Sequence, residues 1–339
     1  MKKADQLYFK SIELGGQQLV QAYLETKALK LPKSYLGINK VVVVGMGGSQ
    51  LSIDLIKALF SDRLKYPIIQ VRGYRLPSFV DDKTLIILSS YSGGTEEVLS
   101  VVSEVKKKKY KALIISSGGK LASLAKEYKI PAYIFRPVNN PSKQPRMGTN
   151  YITGAVIRTL KNLNVLKITD NEVNNISDAL TKSFKEYTKT KEVDNLATKL
   201  KDKIIIYITS EFLKGNGHII NNQTNESSKQ LAYYYYIPEL NHHLLEGLTF
   251  PKENKEMLYF VLFNSDNYLP RIQKRYQVTK EVLSKYKIKY SEIKFKGNKI
   301  EQVFQLLTFG ALLSFKLAKL NKQDPNKIPW VDYFKKKLA

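Results

Sequence analysis

The sequence predicts an α/β protein of two tandem domains, each a doubly wound, mostly parallel sheet flanked by helices. Three observations carry that expectation. Short runs such as Lys40–Val44, Thr84–Leu88 and Ala112–Ile115 are almost wholly apolar, as strands buried on both faces must be. Each leads into a turn rich in glycine or serine and then into a helical pattern, the alternation that builds a parallel sheet. The alternation resumes after residue 200, and 339 residues is about two domains' worth of chain.

In order, residues 1–35 set Leu7, Leu14, Leu19, Tyr23 and Leu24 among charges, a leading helix with a break at Gly15-Gly16. The strand Lys40–Val44 turns through Gly45–Ser49 into a helix over Leu51–Phe60. Pro67–Gln70 and Thr84–Leu88 read as strands, and the second enters the turn Ser89–Thr95 and the helix Glu96–Lys108. Ala112–Ile115 leads through Ser116–Gly119 to the helix Leu121–Tyr128. Residues 136–150 change texture, with Pro137, Asn139, Asn140, Pro141 and Pro145. This linker-like loop divides the chain into domains 1–150 and 151–339.

Helices are expected over 151–163 and 171–200. Next come a strand Ile204–Ile208, a loop around Gly215 and Gly217, and a helix Ile219–Tyr233. Strand Leu258–Phe263, helix Leu269–Lys285, strand Lys289–Phe295, helix Ile300–Leu320 and a polar tail ending in Lys335–Ala339 complete the chain. The run Tyr233–Tyr236 is too aromatic for open solvent and is expected in the core or at a subunit interface.

Composition removes several classes. There is no cysteine, so disulfides, thiolate metal sites and cysteine nucleophiles are out. No apolar run is expected to reach the ~18 residues of a membrane helix. Met1-Lys2-Lys3 is followed by Asp5 and no apolar stretch, which argues against a signal peptide and for a cytoplasmic protein without a membrane partner. The charge is +25, from 55 basic and 30 acidic residues. Only eight of the basic residues are arginine, the usual reader of guanine edges, and no nucleic-acid-binding motif accompanies them. The basic surface is therefore expected to favour anionic small molecules rather than nucleic acid.

Three polar loops close strands at their carboxyl ends, where open parallel sheets bind ligands. They are Gly45-Met46-Gly47-Gly48-Ser49, Ser89–Thr95 and Ser116–Gly119. A dinucleotide fingerprint fails because Gln50 stands where its third glycine belongs, and no glycine-lysine-serine/threonine follows for a nucleoside triphosphate loop. The hydroxyls of Ser90, Ser92 and Thr95, set just before a helix, instead suit a phosphate monoester. The histidines are His218, His242 and His243. Adjacent histidines point apart, so neither metal nor cofactor is expected, and one of the pair could serve acid–base chemistry. By residue physics alone Glu226 reads as an exposed helical glutamate.

Several motifs occur in order: Gly45-Met-Gly-Gly-Ser49, Ser90-Tyr-Ser-Gly-Gly-Thr-Glu-Glu97, Ile115-Ser-Ser-Gly-Gly-Lys-Leu-Ala122, Gln144-Pro-Arg146, Asn225-Glu226 and Pro238-Glu-Leu-Asn-His242. With the closing Asp324-Pro325…Ile328-Pro329 segment, the chain from about residue 40 onward resembles the bifunctional phosphoglucose/phosphomannose isomerase family, built from two sugar-isomerase (SIS) domains. The resemblance implies a phosphate pocket at Gly48, Ser49, Ser90, Ser92 and Thr95. It implies a catalytic base at Glu226, a ring-opening histidine at His242, an arginine near the reacting carbons at Arg146, and a C-terminal active-site lysine at Lys335, with Lys336 its neighbour. It further implies a homodimer in which His242 is supplied across the interface. The chain departs from the family's pattern at Gly94 and Ser227, where asparagine is usual, and at Ile219 and Ile220, where arginine and tryptophan are usual.

These residue types fit the implied reaction, a metal-independent conversion of glucose 6-phosphate and mannose 6-phosphate to fructose 6-phosphate through an enediol. A carboxylate must carry a proton between C2 and C1, a histidine can serve the ring oxygen, and a fixed cation stabilises the enediolate. The alternative is a noncatalytic SIS-domain regulator that binds the same sugar phosphates. Such a protein would be expected to lose Glu226 or His242, and both are present.

Overall fold

The computed structural model describes residues 2–338. They form two compact units. One runs from Leu14 to Asp178, and the other joins the first helix, α1 (Lys3–Glu13), to the chain from Ala179 onward.

The first of these units contains α2 (Gly15–Lys27), β1 (Lys40–Val44), α3 (Gly48–Leu59), β2 (Ile68–Val71), β3 (Thr84–Ser90), α4 (Glu96–Lys107), β4 (Lys111–Ser116), α5 (Gly119–Glu127), β5 (Ala132–Ile134) and α6 (Thr149–Asn162). Its five strands are parallel in the order β2-β1-β3-β4-β5. One core layer joins Val42, Val44, Ile86, Leu88 and Ile114 of the sheet to Val98, Val101, Val105 and Leu121 on α4 and α5. Burying both sheet faces is why β3 reads as an unbroken apolar run ending in two serines. The winding reverses between β1 and β3, which opens a crevice at the carboxyl ends of those strands. The three-residue β5 was not among the expected strands.

The division expected at 150/151 falls inside α6, and the compact units part at 178/179. The physical reason is the packing of α6 against α2. A side chain on Gly154 would collide with the Leu19 carbonyl, so glycine lets the two backbones approach. The proline- and asparagine-rich segment before α6 is not a loose linker either. Asn140 is buried and donates from Nδ2 to the Tyr91 hydroxyl at 2.8 Å and to the Gln144 carbonyl at 2.9 Å.

The division falls within α7 (Asp170–Lys189). The remaining elements are α8 (Glu192–Leu200), β6 (Ile204–Ser210), α9 (Lys214–Gln223), β7 (Ala232–Ile237), the one-turn helices α10 (Leu244–Gly247) and α11 (Asn254–Met257), β8 (Leu258–Asn264), α12 (Pro270–Lys285), β9 (Lys289–Lys294), α13 (Lys299–Leu320) and α14 (Pro329–Leu338). Four parallel strands run in the order β7-β6-β8-β9. Asn298 opens α13 with a full capping box to Glu301.

Four expectations are corrected in this unit. The helix 171–200 is two helices, α7 and α8, separated near Lys191. Gly215 and Gly217 lie inside α9 rather than in a loop, and a Cβ on Gly217 would sit 2.7 Å from Thr209 Oγ1. The helix expected to reach Tyr233 stops at Gln223 and gives way to a π-helical turn, Thr224–Ser228. Lys229, at a left-handed φ of 55°, then reverses the chain into β7. The four tyrosines form an edge strand, as their β propensity favours, with Tyr233 and Tyr236 partly exposed. Finally, α13 is long and apolar enough to cross a membrane, contrary to expectation, yet 78% of its apolar window is buried inside the protein. Its hydropathy is that of a core helix.

Candidate active site

In the unit Leu14–Asp178 the three expected loops converge at the carboxyl ends of β1, β3 and β4. Gly47, at φ 49° and ψ −129°, leads into α3, which begins at Gly48 with Ser49 buried in its first turn. Gln50, which breaks the dinucleotide pattern, is fully occupied in structure. Its Nε2 donates to the Val43 carbonyl at 2.8 Å and the Val71 carbonyl at 3.0 Å, tying α3 to the ends of β1 and β2.

The loop after β3 is held by its own hydroxyls. Ser90 Oγ lies 2.7 Å from Thr95 Oγ1 and accepts from the Gly93 N–H at 3.0 Å. Ser92 is exposed, and its Oγ accepts from the Gly94 N–H at 3.3 Å. Thr95 stands at the N-cap of α4 in extended conformation, so the first N–H groups of that helix face the loop, the geometry that favours an anion. The loop after β4 locks onto this one. Ser117 Oγ donates to the Tyr91 carbonyl at 2.7 Å, and the Leu121 N–H donates to the Gly93 carbonyl at 2.9 Å.

Arg146 sits beside the first loop. It lies in the turn Pro145–Met147 and is buried, with Nη1 donating to Gln144 Oε1 at 3.2 Å. A Cβ on Gly48 would lie 3.4 Å from the Pro145 carbonyl oxygen and 3.8 Å from Arg146 Cα. Tyr91 fastens this turn to the serine loop, since its ring lies against Gly148 and its hydroxyl accepts from Asn140. Burial pushes the Tyr91 phenol above its ordinary pKa, so the group stays neutral in that network. Gly48, Ser49, Ser90, Ser92, Thr95 and Arg146 are thus gathered on one edge of one sheet.

The other expected residues lie in the unit containing α1 and the chain from Ala179. Glu226 is half-buried on the π turn at the start of β7. Asn225 clamps that turn, with Nδ2 donating to the Asn221 and Ala232 carbonyls at 2.9 Å each. Lys229 donates from Nζ to the Ser227 carbonyl at 3.2 Å and the Asp324 carbonyl at 2.7 Å, joining the turn to the segment before α14. His242 is exposed and follows the opposite end of β7, in the turn Glu239–His242. β7 has 6 residues and a strand rises about 3.3 Å per residue, so the turns that carry Glu226 and His242 flank a strand roughly 20 Å long. His218 stacks on Tyr234 at 4.9 Å instead, a packing role on the edge strand. Lys335 and Lys336 are exposed on α14, a helix with no buried residue.

Sequence reasoning overlooked Gln50, Tyr91 and Asn225, which hold the loops and the π turn. For Asn225 a signal existed in its place beside Glu226. Gln50 bonds to backbone carbonyls on two strands and Tyr91 to a residue distant in sequence, and neither left one. Among the described residues no group of three or more His, Asp or Glu side chains is placed to hold a metal ion.

Residues 189–338 match the family described as the bacterial phospho-glucose isomerase C-terminal SIS domain. The chain is 31% identical to a bifunctional phosphoglucose/phosphomannose isomerase of Caldicellulosiruptor bescii over 98% of each chain. It is 29% identical to the protein of that name from Thermoplasma volcanium, over 89% of this chain and 92% of the other. Among solved structures it is similar in fold to tagatose-6-phosphate ketose/aldose isomerase from Escherichia coli. That match has a TM-score of 0.73 at 16% identity and covers 97% of this chain and 99% of the other.

Proposed function

The chain belongs to the bifunctional phosphoglucose/phosphomannose isomerase family, and from that premise we propose that it interconverts glucose 6-phosphate and mannose 6-phosphate with fructose 6-phosphate. The observation that carries the reading is the 31% identity to such an isomerase over 98% of both chains, in a chain that keeps a carboxylate at 226 and a histidine at 242. A cytoplasmic setting and a mechanism without metal or cofactor go with it.

In this reading the substrate phosphate takes its hydrogen bonds from Gly48, Ser49, Ser90, Ser92 and Thr95. That anchoring holds the non-reacting end and orients the sugar carbons. His242 moves a proton at the ring oxygen to open the sugar. Glu226 then removes the C2 proton and returns it to C1, while the Arg146 guanidinium stabilises the negative charge on the enediolate oxygen. Lys335 adds a second cation to the site. The two aldoses differ only at C2, and C2 becomes planar in the enediol, so one base serves both.

The length of β7 bears on how many chains build a site. Glu226 and His242 flank opposite ends of that strand, which favours a His242 from a second copy for ring opening of the sugar that Glu226 serves. We therefore read the active species as a homodimer. The test mixes Glu226→Gln and His242→Ala subunits, each inactive alone, and assays fructose 6-phosphate turnover by coupled formation of glucose 6-phosphate and mannose 6-phosphate. Each heterodimer is expected to rebuild one working site and regain up to half the wild-type activity per dimer. No recovery despite verified subunit exchange would place both groups in one chain. No turnover by the wild-type protein, with sugar phosphate still bound, would favour the noncatalytic regulator.

A further inference from the structure

The π turn Thr224–Ser228 carries Glu226, and its other side chains are pinned. Thr224 Oγ1 lies 2.9 Å from the buried Tyr207 hydroxyl, and Ser228 Oγ donates to the Thr224 carbonyl at 2.5 Å. Asn225 is bound to Asn221 and Ala232. Ser227 Oγ lies 2.7 Å from the hydroxyl of Tyr8, a residue 219 positions earlier in the chain. Both Tyr8 and Ser227 are fully buried. A π turn is a local irregularity that a helix adopts only where its surroundings hold it, and here the hold next to Glu226 comes from the N-terminal helix.

That helix is itself a fixed prop. Asp5, 4% exposed, pairs with Lys319 of α13 at 2.6 Å. The Tyr8 ring stacks on Phe315 at 5.8 Å, and Phe9 packs between Phe184 and Phe315. A buried tyrosine usually finds a partner for its hydroxyl, so burial alone would say nothing about catalysis. What singles out Tyr8 is that its partner is the residue adjoining Glu226, on a turn whose geometry sets where that carboxylate points.

We infer that Tyr8 is a positioning residue for the isomerisation, its hydroxyl fixing Ser227 and through it the direction of the Glu226 carboxylate. The inference rests on Glu226 being the base. A base that must reach both C2 and C1 tolerates little displacement, because a shift of about 1 Å in a reacting group can lower a rate about a hundredfold.

The test uses Tyr8→Phe, Ser227→Ala and the double variant, with Glu226→Gln as control. Each single variant is expected to lower kcat about tenfold with KM changed less than twofold, and the double variant to be no worse than either single one, because the pair acts as one unit. Transfer of deuterium from C2 to C1 should also fall relative to exchange with solvent. A merely structural role would lower the melting temperature and leave kcat per folded enzyme and the transfer ratio unchanged, and that result overturns the inference. So do single effects that multiply in the double variant. Should Tyr8→Phe fold poorly, Ser227→Ala carries the same test from the other side of the bond. Full activity in Glu226→Gln would instead remove the base assignment itself, a failure seen separately from the Tyr8 result.

Discussion

Two adjacent glycines in the serine loop should respond in opposite ways to the same substitution. Gly93 has φ 72°, and a Cβ there would overlap the Gly118 carbonyl oxygen, lie 2.7 Å from its carbon and lie 2.9 Å from Ser116 Oγ. Carbon atoms in contact sit about 3.5–4.0 Å apart, so Gly93→Ala must part the loops after β3 and β4 by about 1 Å. The separation strains the bonds from the Leu121 N–H to the Gly93 carbonyl and from the Gly93 N–H to Ser90 Oγ, now 2.9 and 3.0 Å. Two weakened hydrogen bonds at about 1 kcal/mol each, plus about 1–2 kcal/mol for alanine in a left-handed conformation, give about 3–4 kcal/mol. At about 2–4 °C per kcal/mol for a domain of this size, the melting temperature should fall by about 10 °C.

Displacing the serine loop, the proposed phosphate site, by about 1 Å should also lower kcat/KM for fructose 6-phosphate about a hundredfold. Gly94, the next residue, would place its Cβ with nothing within 4 Å. Gly94→Ala should therefore keep kcat/KM within about threefold of wild type and leave the melting temperature within about 2 °C, the ordinary effect of a surface change. Calorimetry and a coupled steady-state assay of the two variants side by side decide the matter. Equal losses in both, or a harmless Gly93→Ala, would refute the reasoning that the loop contact holds the proposed phosphate site in place.

Ser92→Ala removes an exposed hydroxyl from the anion loop and should raise KM about tenfold with kcat nearly unchanged, since a phosphate contact holds ground and transition states alike; a fall in kcat alone would count against the phosphate role. Lys335 and Lys336 are neighbours on α14 and diverge by about 100° around the helix, so alanine at 335 should cut kcat/KM about a hundredfold and alanine at 336 should be near wild type; two equal effects would undo the assignment to Lys335. The bonds from Lys40 and then Thr84 hold the Asp81 carboxyl down at about 2. A depressed carboxylate stabilises the fold above its unfolded pKa and loses that contribution as the pH falls through the folded one. The melting temperature of wild type should therefore exceed that of Asp81→Asn at pH 6, the gap narrowing from about pH 4 toward about pH 2. A gap constant with pH would mean that the Asp81 charge contributes nothing.

The features readable from the residues alone are local. Strands such as Lys40–Val44 and Thr84–Leu88 are legible because a segment buried on both faces must be apolar along its length, although the second runs on to Ser90. The turns Gly45–Ser49 and Ser89–Thr95 are legible because glycine and hydroxyl residues are what a strand needs to turn tightly into a helix. The order of those motifs was enough to identify the family. Periodicity misled wherever a distant contact set the outcome. Gly217 looks like a loop residue until Thr209 is seen against it. The stretch after Ile219 keeps a helical texture, yet it becomes a π turn and then an edge strand, because pairing with β6 claims the four tyrosines. The linker texture of residues 136–150 conceals a segment that Tyr91 and Asn140 fasten to the serine loop. Only tertiary structure could reveal that Gln50 clamps two strand ends, that Glu226 and His242 flank opposite ends of β7, and that Tyr8 meets Ser227 across 219 positions. Tyr8 and Ser227 are far apart in sequence, and Gln50 reaches backbone carbonyls on two different strands, so the neighbourhood of none of these residues encodes its partner.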